Sequence, residues 1–172
     1  GVNPKTCREE LLKLSEDSGK TIKIGVIQGD DIYPDIQAIR DKGITFDHME
    51  SGQSFDEIVD KVYSANVYIN SFTISDALEK GAQIVLAGRV SDPGLALGPC
   101  VYEFGWNKKD YNKIAAGTLA GHITECGAQC TGGNYSNWQN VPDMANLGYP
   151  IIEMSPDGTF CITKHEGTGG LI

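Results

Sequence analysis

Positions 121–135 read GHITECGAQCTGGNY, placing an imidazole, a carboxylate and two thiols on one short stretch. On a helix, offsets of three, four and seven return to one face. Thr118, His122, Glu125, Cys126 and Gln129 would then share a polar stripe. Gly117 and Gly121 lie beside it and let a second backbone or a ligand come close. Three chemistries fit these residues. His122 and Cys126 at i,i+4 could reach one metal ion, with Glu125 or Cys130 completing the set. The spacing matches no ligand pattern with a known rationale, so no metal is expected. Alternatively His122 and Glu125 move protons, with Cys126 as nucleophile or bystander. In the third reading His122 and Glu125 satisfy each other beside a tight helix contact, and Cys126 is a small core residue.

Other chemistry-bearing residues sit at the ends of apolar runs. QIVLAG at 83–88 reads as a short buried strand, and it delivers Arg89, Ser91 and Asp92 into a loop. An arginine just past a strand can fork onto a carboxylate or phosphate. Asp92 could hold Arg89 or cap the next helix. QGDD at 28–31 ends an earlier strand with two carboxylates, one expected to be a helix cap and the other, Asp30 or Asp31, open to a ligand or Mg²⁺. EGTGG at 166–170, with Thr168 and Gly169, could turn successive N–H groups toward an anion, or could be a loose tail. His48 and His165 are isolated in sequence.

The elements that must position these groups follow an alternation of helix, glycine and strand. NPKTCREELLKLSEDSG has Asn3 as N-cap, Pro4 at the first helical position and Gly19 as stop. TIKIGVI then alternates as a strand, and IYPDIQAIRDKG predicts a helix closed by Gly43. SFDEIVDKV has helical spacing at Phe55, Ile58, Val59 and Val62 with Ser54 as cap, and 66–70 reads as irregular. TISDALEKG predicts a further helix capped by Thr73 or Ser75. Pro93 opens another over GLALGPCVYEFG, and a long one is predicted from about Asn107 to Gly127. YPIIEM and TFCITKH flank SPDG, a strong turn signal, and predict a hairpin. The fold class is therefore α/β: a mostly parallel open sheet with flanking helices, then a long helix and a C-terminal β-hairpin. Residues 1–106 would form the sheet domain and 107–172 a helix-plus-hairpin segment packed on it. In open α/β sheets functional groups gather beyond the carboxyl ends of the strands, so Asp30, Asp31, Arg89 and Asp92 should share one side.

The chain has 172 residues, 40% of them hydrophobic and 22% charged, which suits a packed core. A net charge of −9 without a basic cluster argues against nucleic acid and against an anionic membrane surface. No apolar run approaches the roughly 20 residues of a membrane span. No secretory signal is visible, and the opening Gly1 leaves room for a removed leader or upstream segment. Cys7, Cys100, Cys126, Cys130 and Cys161 are odd in number and scattered, as reduced thiols are. The expected location is the cytoplasm or another reducing compartment.

Several of these stretches together resemble the acyclic terpene utilisation (AtuA-like) family, long catalogued as a domain of unknown function. The match is carried by GVNPKTC at the start, GDD at 29–31, AGRVSDPGLALGP at 87–99 and EFGW at 103–106. It continues through AAGTLAGHITECGAQCTGG at 115–133, LGYPIIE at 147–153 and ITKHEGTGG at 162–170. The resemblance implies a catabolic enzyme of lyase or hydratase type acting on a branched, terpenoid-derived carboxylate or its CoA thioester. It supplies no catalytic residue list. Asp30, Arg89, Asp92, His122, Glu125 and Thr168 are the matched polar positions. Family members extend further upstream and downstream, which implies a homo-oligomer or additional chains supplying the remaining segments.

The expected catalytic residues are thus His122, Glu125 and Cys126, and the expected substrate contacts are Arg89, Asp92, Asp30, Thr168 and Gly169. No cofactor is required by the sequence, although a CoA moiety could enter as part of the substrate. The partner is a small-molecule acid or acyl-CoA. The competing expectation is a non-catalytic subunit of a larger complex, with the polar stripe as its interface.

Overall fold

The computed structural model describes residues 3–172; Gly1 and Val2 of the opening motif lie outside the described residues. The first helix, α1 (Pro4–Asp17), begins as its sequence dictates: the Asn3 side chain accepts the Thr6 N–H at 3.2 Å, and Pro4 fills the first position. Strand β1 (Ile24–Ile27) follows. Helix α2 (Ile36–Arg40) is only five residues long and is preceded by a 3-10 turn at Tyr33–Asp35. The segment expected as a helix from Ser54 is instead two 3-10 turns, Phe55–Glu57 and Val59–Lys61. Its β-branched Ile58, Val59 and Val62 are weak helix formers, and Ile58 is exposed, so no buried face stabilises a longer helix.

Helix α3 (Phe72–Glu79) leads to β2 (Ile84–Ala87), which pairs parallel with β1 in the register Ile24–Ile84 to Ile27–Ala87. Thr73 and Ser75 lie inside α3; the N-cap position is Ser71, and Asn70 just before it accepts the Phe72 N–H on Oδ1 at 3.0 Å. Both strands are half-buried along their whole length rather than fully enclosed. The pair is extended by isolated bridges, Asp31 with Asn66 and Ile69 with Val90, so part of the 66–70 segment read as irregular runs beside the strand tips. Helix α3 reaches β1 at Gly25, where an added Cβ would lie 3.1 Å from Ala82 Cβ and 3.3 Å from Ala77 Cβ.

Helices α4 (Gly94–Phe104) and α5 (Tyr111–Cys126) follow, and Gly105 ends α4 in the left-handed conformation. The long helix starts at Tyr111 because Asn107–Asp110 folds back on itself: Asp110 Oδ2 accepts the Asn107 N–H and Asn107 Oδ1 the Lys109 N–H, each at 2.9 Å. The hairpin is β3 (Pro150–Met154) with β4 (Phe160–Lys164), antiparallel, turning at Ser155–Gly158 with Gly158 at φ +92°.

The architecture is mixed α/β: a parallel strand pair with flanking helices, a long helix and a C-terminal hairpin. The core lies in the helical layer, around Leu97, Val101 and Trp106, with Phe72, Cys100, Phe104, Ile114 and Met154 packed on it. Glycines bring these helices together. A Cβ on Gly98 would stand 2.6 Å from Ile74 Cβ, and one on Gly121 would stand 2.6 Å from the Pro93 backbone. The α4–α5 contact therefore depends on the glycine spacing that flanks the polar stripe.

Candidate active site

Parallel pairing sets the two strand ends side by side, so Asp30 and Arg89 meet just beyond their carboxyl ends. Asp30 is 7% exposed. Its Oδ2 accepts the Arg89 backbone N–H at 2.6 Å and the Asn66 amide at 3.0 Å, joining the tips of β1 and β2 to the 66–70 segment. The hydrogen bond from the Arg89 backbone holds the Asp30 carboxyl below its ordinary range, against the opposing effect of burial. Asp31 takes the role of turn former: its Oδ1 accepts the Tyr33 N–H at 3.0 Å.

A depressed carboxyl adds stability that is fully present above its unfolded-state pKa, about 3.9, and is lost as pH falls through the lower folded value. Thermal stability is accordingly expected to drop more steeply below about pH 4 in the natural chain than in Asp30→Asn. Melting temperatures between pH 6 and about pH 2 would check this; equal slopes would refute it.

The Arg89 side chain projects outward from the braced backbone. Its Nη2 donates to the Tyr68 hydroxyl at 2.8 Å, the guanidinium lies 4.5 Å from the Tyr68 ring centroid, and Asp92 is 3.5 Å away. The Tyr68 hydroxyl, then the charges of Asp92 and Glu125, raise its pKa, so it is permanently cationic. Arg89 lines a cleft of about 880 Å³ together with Asp30, Asp31, Asn66 and the first turn of α1. Asp92 lines a smaller groove of about 230 Å³, which Leu95, Ala96, Gly121, Thr124 and Glu125 complete. Arg89, Asp92 and Glu125 are thus neighbours, and the tip of β2 faces the C-terminal half of α5.

His122 lies one turn before Glu125 on α5, with its ring exposed and Nδ1 3.0 Å from the Thr118 carbonyl. Because a carbonyl only accepts, Nδ1 carries the proton of the neutral ring, which leaves Nε2 as the basic nitrogen. Among the described residues no ion pair joins His122 to Glu125. Glu125 instead accepts from the Cys126 thiol at 3.6 Å. Burial, followed by Glu125 and Cys130, raises the Cys126 pKa, so the thiol stays protonated near neutral pH. No group of three or more His, Cys, Asp or Glu side chains suited to a metal occurs among the described residues.

Thr168 and Gly169 belong to a different assembly. Thr168 Oγ1 donates to the His165 carbonyl at 2.7 Å, the Gly169 N–H to Asn146 O at 2.7 Å and the Gly170 N–H to Leu147 O at 3.2 Å. The Leu171 N–H donates to the carbonyl of Thr131, whose side chain is fully buried and donates to Gly148 O at 2.6 Å. The segment is therefore a stitched loop, and the amides of Gly169 and Gly170 serve backbone carbonyls rather than an anion. Asn66 and Tyr68 were missed in the sequence. Their one signal is the short alternation Val67-Tyr68-Ile69, which places Tyr68 on the face opposite its apolar neighbours.

The model of the acyclic terpene utilisation family protein AtuA matches residues 1–172. The chain belongs to the AtuA family. Searches of curated proteins and of solved structures returned no match. Membership connects the chain with acyclic terpene utilisation without naming a reaction or a substrate. Among the described residues no helix is long and apolar enough to cross a membrane.

Proposed function

We propose that this AtuA chain carries a lyase or hydratase centre for a branched, terpenoid-derived carboxylate or its CoA thioester, with Arg89 as the anion anchor. The observation that supports this most directly is the placement of Arg89. Its main chain is locked by a buried carboxylate, its side chain rests on Tyr68, and it lines a large polar cleft while lying 3.5 Å from Asp92, which lines a small groove walled by Leu95 and Ala96. A fixed guanidinium suits a carboxylate or the developing enolate of a thioester.

In the hydration direction, Glu125 or His122 Nε2 takes a proton from water as the hydroxyl adds to the β-carbon of a conjugated double bond. The π electrons move onto the α-carbon and carbonyl, Arg89 faces the resulting charge, and protonation at the α-carbon completes addition of one water. Dehydration runs the same steps backward. The Cys126 thiol serves as a donor that orients Glu125.

Water addition to β-methyl-branched unsaturated acids and their CoA thioesters, followed by NMR, tests the reading. Arg89→Ala is expected to raise KM at least about tenfold, through loss of a charge-assisted contact. Glu125→Gln is expected to lower kcat by about 10²–10⁴. Absence of turnover on every such substrate would overturn the proposal. The competing reading as a complex subunit draws on exposed Leu95 and Leu119 on α4 and α5. It wins if Glu125→Gln and His122→Ala change the assembly state and leave turnover intact.

A further inference from the structure

The cleft of about 880 Å³ beyond the strand ends has a chemistry of its own. Its cations are Lys5, in the first turn of α1, and Arg89; its carboxylates are Asp30 and Asp31. Asp30 is buried, anionic and engaged by the Arg89 N–H and Asn66, and one oxygen of Asp31 is engaged by the Tyr33 N–H. Lys5 and the uncommitted N–H donors of Arg89 can meet an anionic group, while the second oxygen of Asp31 can accept from hydroxyl groups. Tyr33 and Tyr63 also line this cleft, and Tyr63 is 91% exposed. An aromatic ring so bare adds nothing to the core, but a flat π-face in a cleft that also carries Lys5 and Arg89 suits a planar ring joined to phosphates. A branched ten-carbon acid would fill only part of a space at the upper end of small-ligand pockets, which run to about 1,000 Å³.

We propose that this cleft is a nucleotide-diphosphate site: the base stacks on Tyr63 and Tyr33, Lys5 and Arg89 hold the phosphates, and Asp31 meets the sugar hydroxyls. The site stands independently of the reaction proposed above, with Arg89 the one residue common to both. Arg89 can serve both sides because Nη2 alone is committed to Tyr68 and Asp92, which leaves further N–H donors on its fork.

Calorimetric titration of the full chain with ADP, inorganic pyrophosphate and adenosine decides the matter. ADP is expected to bind saturably and more tightly than either fragment. Lys5→Ala and Tyr63→Ala should each weaken ADP binding about tenfold, matching loss of a phosphate contact and of a stacking face. Both side chains are exposed, so neither variant threatens the fold, and matching melting curves would show it. Glu125→Gln should bind ADP as the natural chain does, so failure of the proposed reaction and failure of this site are read separately. Binding of ADP no tighter than pyrophosphate would overturn the nucleotide assignment, as would unchanged ADP affinity in Lys5→Ala and Tyr63→Ala.

Discussion

Replacing Trp106 with alanine is expected to remove about 3–5 kcal/mol of stability, a large share of the roughly 5–15 kcal/mol that holds a domain folded. Trp106 is 4% exposed and joins three parts of the molecule. It follows α4 directly, packs with Leu97 and Val101, and lies 5.5 Å from Phe104 between ring centroids. Its Cζ3 atom would be 3.1 Å from a Cβ placed on Gly117 of α5, so α5 is seated against the indole. Its Nε1 donates to the Pro156 carbonyl at 2.8 Å, tying the hairpin turn to the helical layer. Alanine would leave a cavity between α4, α5 and the hairpin and an unpaired carbonyl at the turn. Trp106→Phe would keep most of the packing and lose the hydrogen bond, costing about 1–2 kcal/mol. Urea unfolding measures both: the midpoint should fall far more for alanine than for phenylalanine, with the slope unchanged. A loss under about 1 kcal/mol for Trp106→Ala would mean that helix and hairpin are held by other contacts.

That centre of stability was hard to read from sequence because it depends on residues far apart in the chain. The local signals behaved well. Asn3-Pro4 opens α1, Gly19 and Gly81 end helices in the left-handed region, and Pro156-Asp157-Gly158 turns the hairpin. These features act over three or four residues, so spacing alone reveals them. Segments whose conformation depends on tertiary burial read less well. The periodic apolar residues from Phe55 to Val62 suggested a helix, but with no face to cover them they settle into 3-10 turns. Similarly, QIVLAG reads as a doubly covered strand, whereas the pair it forms with β1 is half-buried throughout.

The candidate site divides in the same way. The topological argument that strand ends converge placed Asp30 and Arg89 together, and the glycine spacing anticipated close approach of α5 to α4. Sequence could not show that Asp30 is spent on the Arg89 backbone, or that the amides of Gly169 and Gly170 serve Asn146 and Leu147. Each of those bonds closes a loop of more than 20 residues, and a glycine-rich run looks alike whether its N–H groups face a ligand or a carbonyl.

The second large effect falls on that spent carboxylate. An added Cβ on Gly88 would lie 1.8 Å from Asp30 Oδ1 and 2.2 Å from its Cγ, so Gly88→Ala cannot coexist with the present Asp30 position. The carboxylate must swing away, abandoning the Arg89 N–H and Asn66. Each hydrogen bond to a charged group is worth about 1.5–3 kcal/mol, so Gly88→Ala is expected to cost about 2–4 kcal/mol and to loosen the backbone that carries Arg89. Asp30→Ala should cost about 2 kcal/mol by stranding the same donors. A double-mutant cycle separates this brace from ordinary crowding. With Asp30 truncated the methyl on Gly88 has room, so Asp30→Ala with Gly88→Ala should be barely less stable than Asp30→Ala alone. Turnover and ADP binding should fall in both single variants by similar factors, since both release the same arginine. Strict additivity of the two substitutions in unfolding free energy would show that Asp30 and Gly88 act separately, and Arg89 would then owe its position to Tyr68 and Asp92 instead.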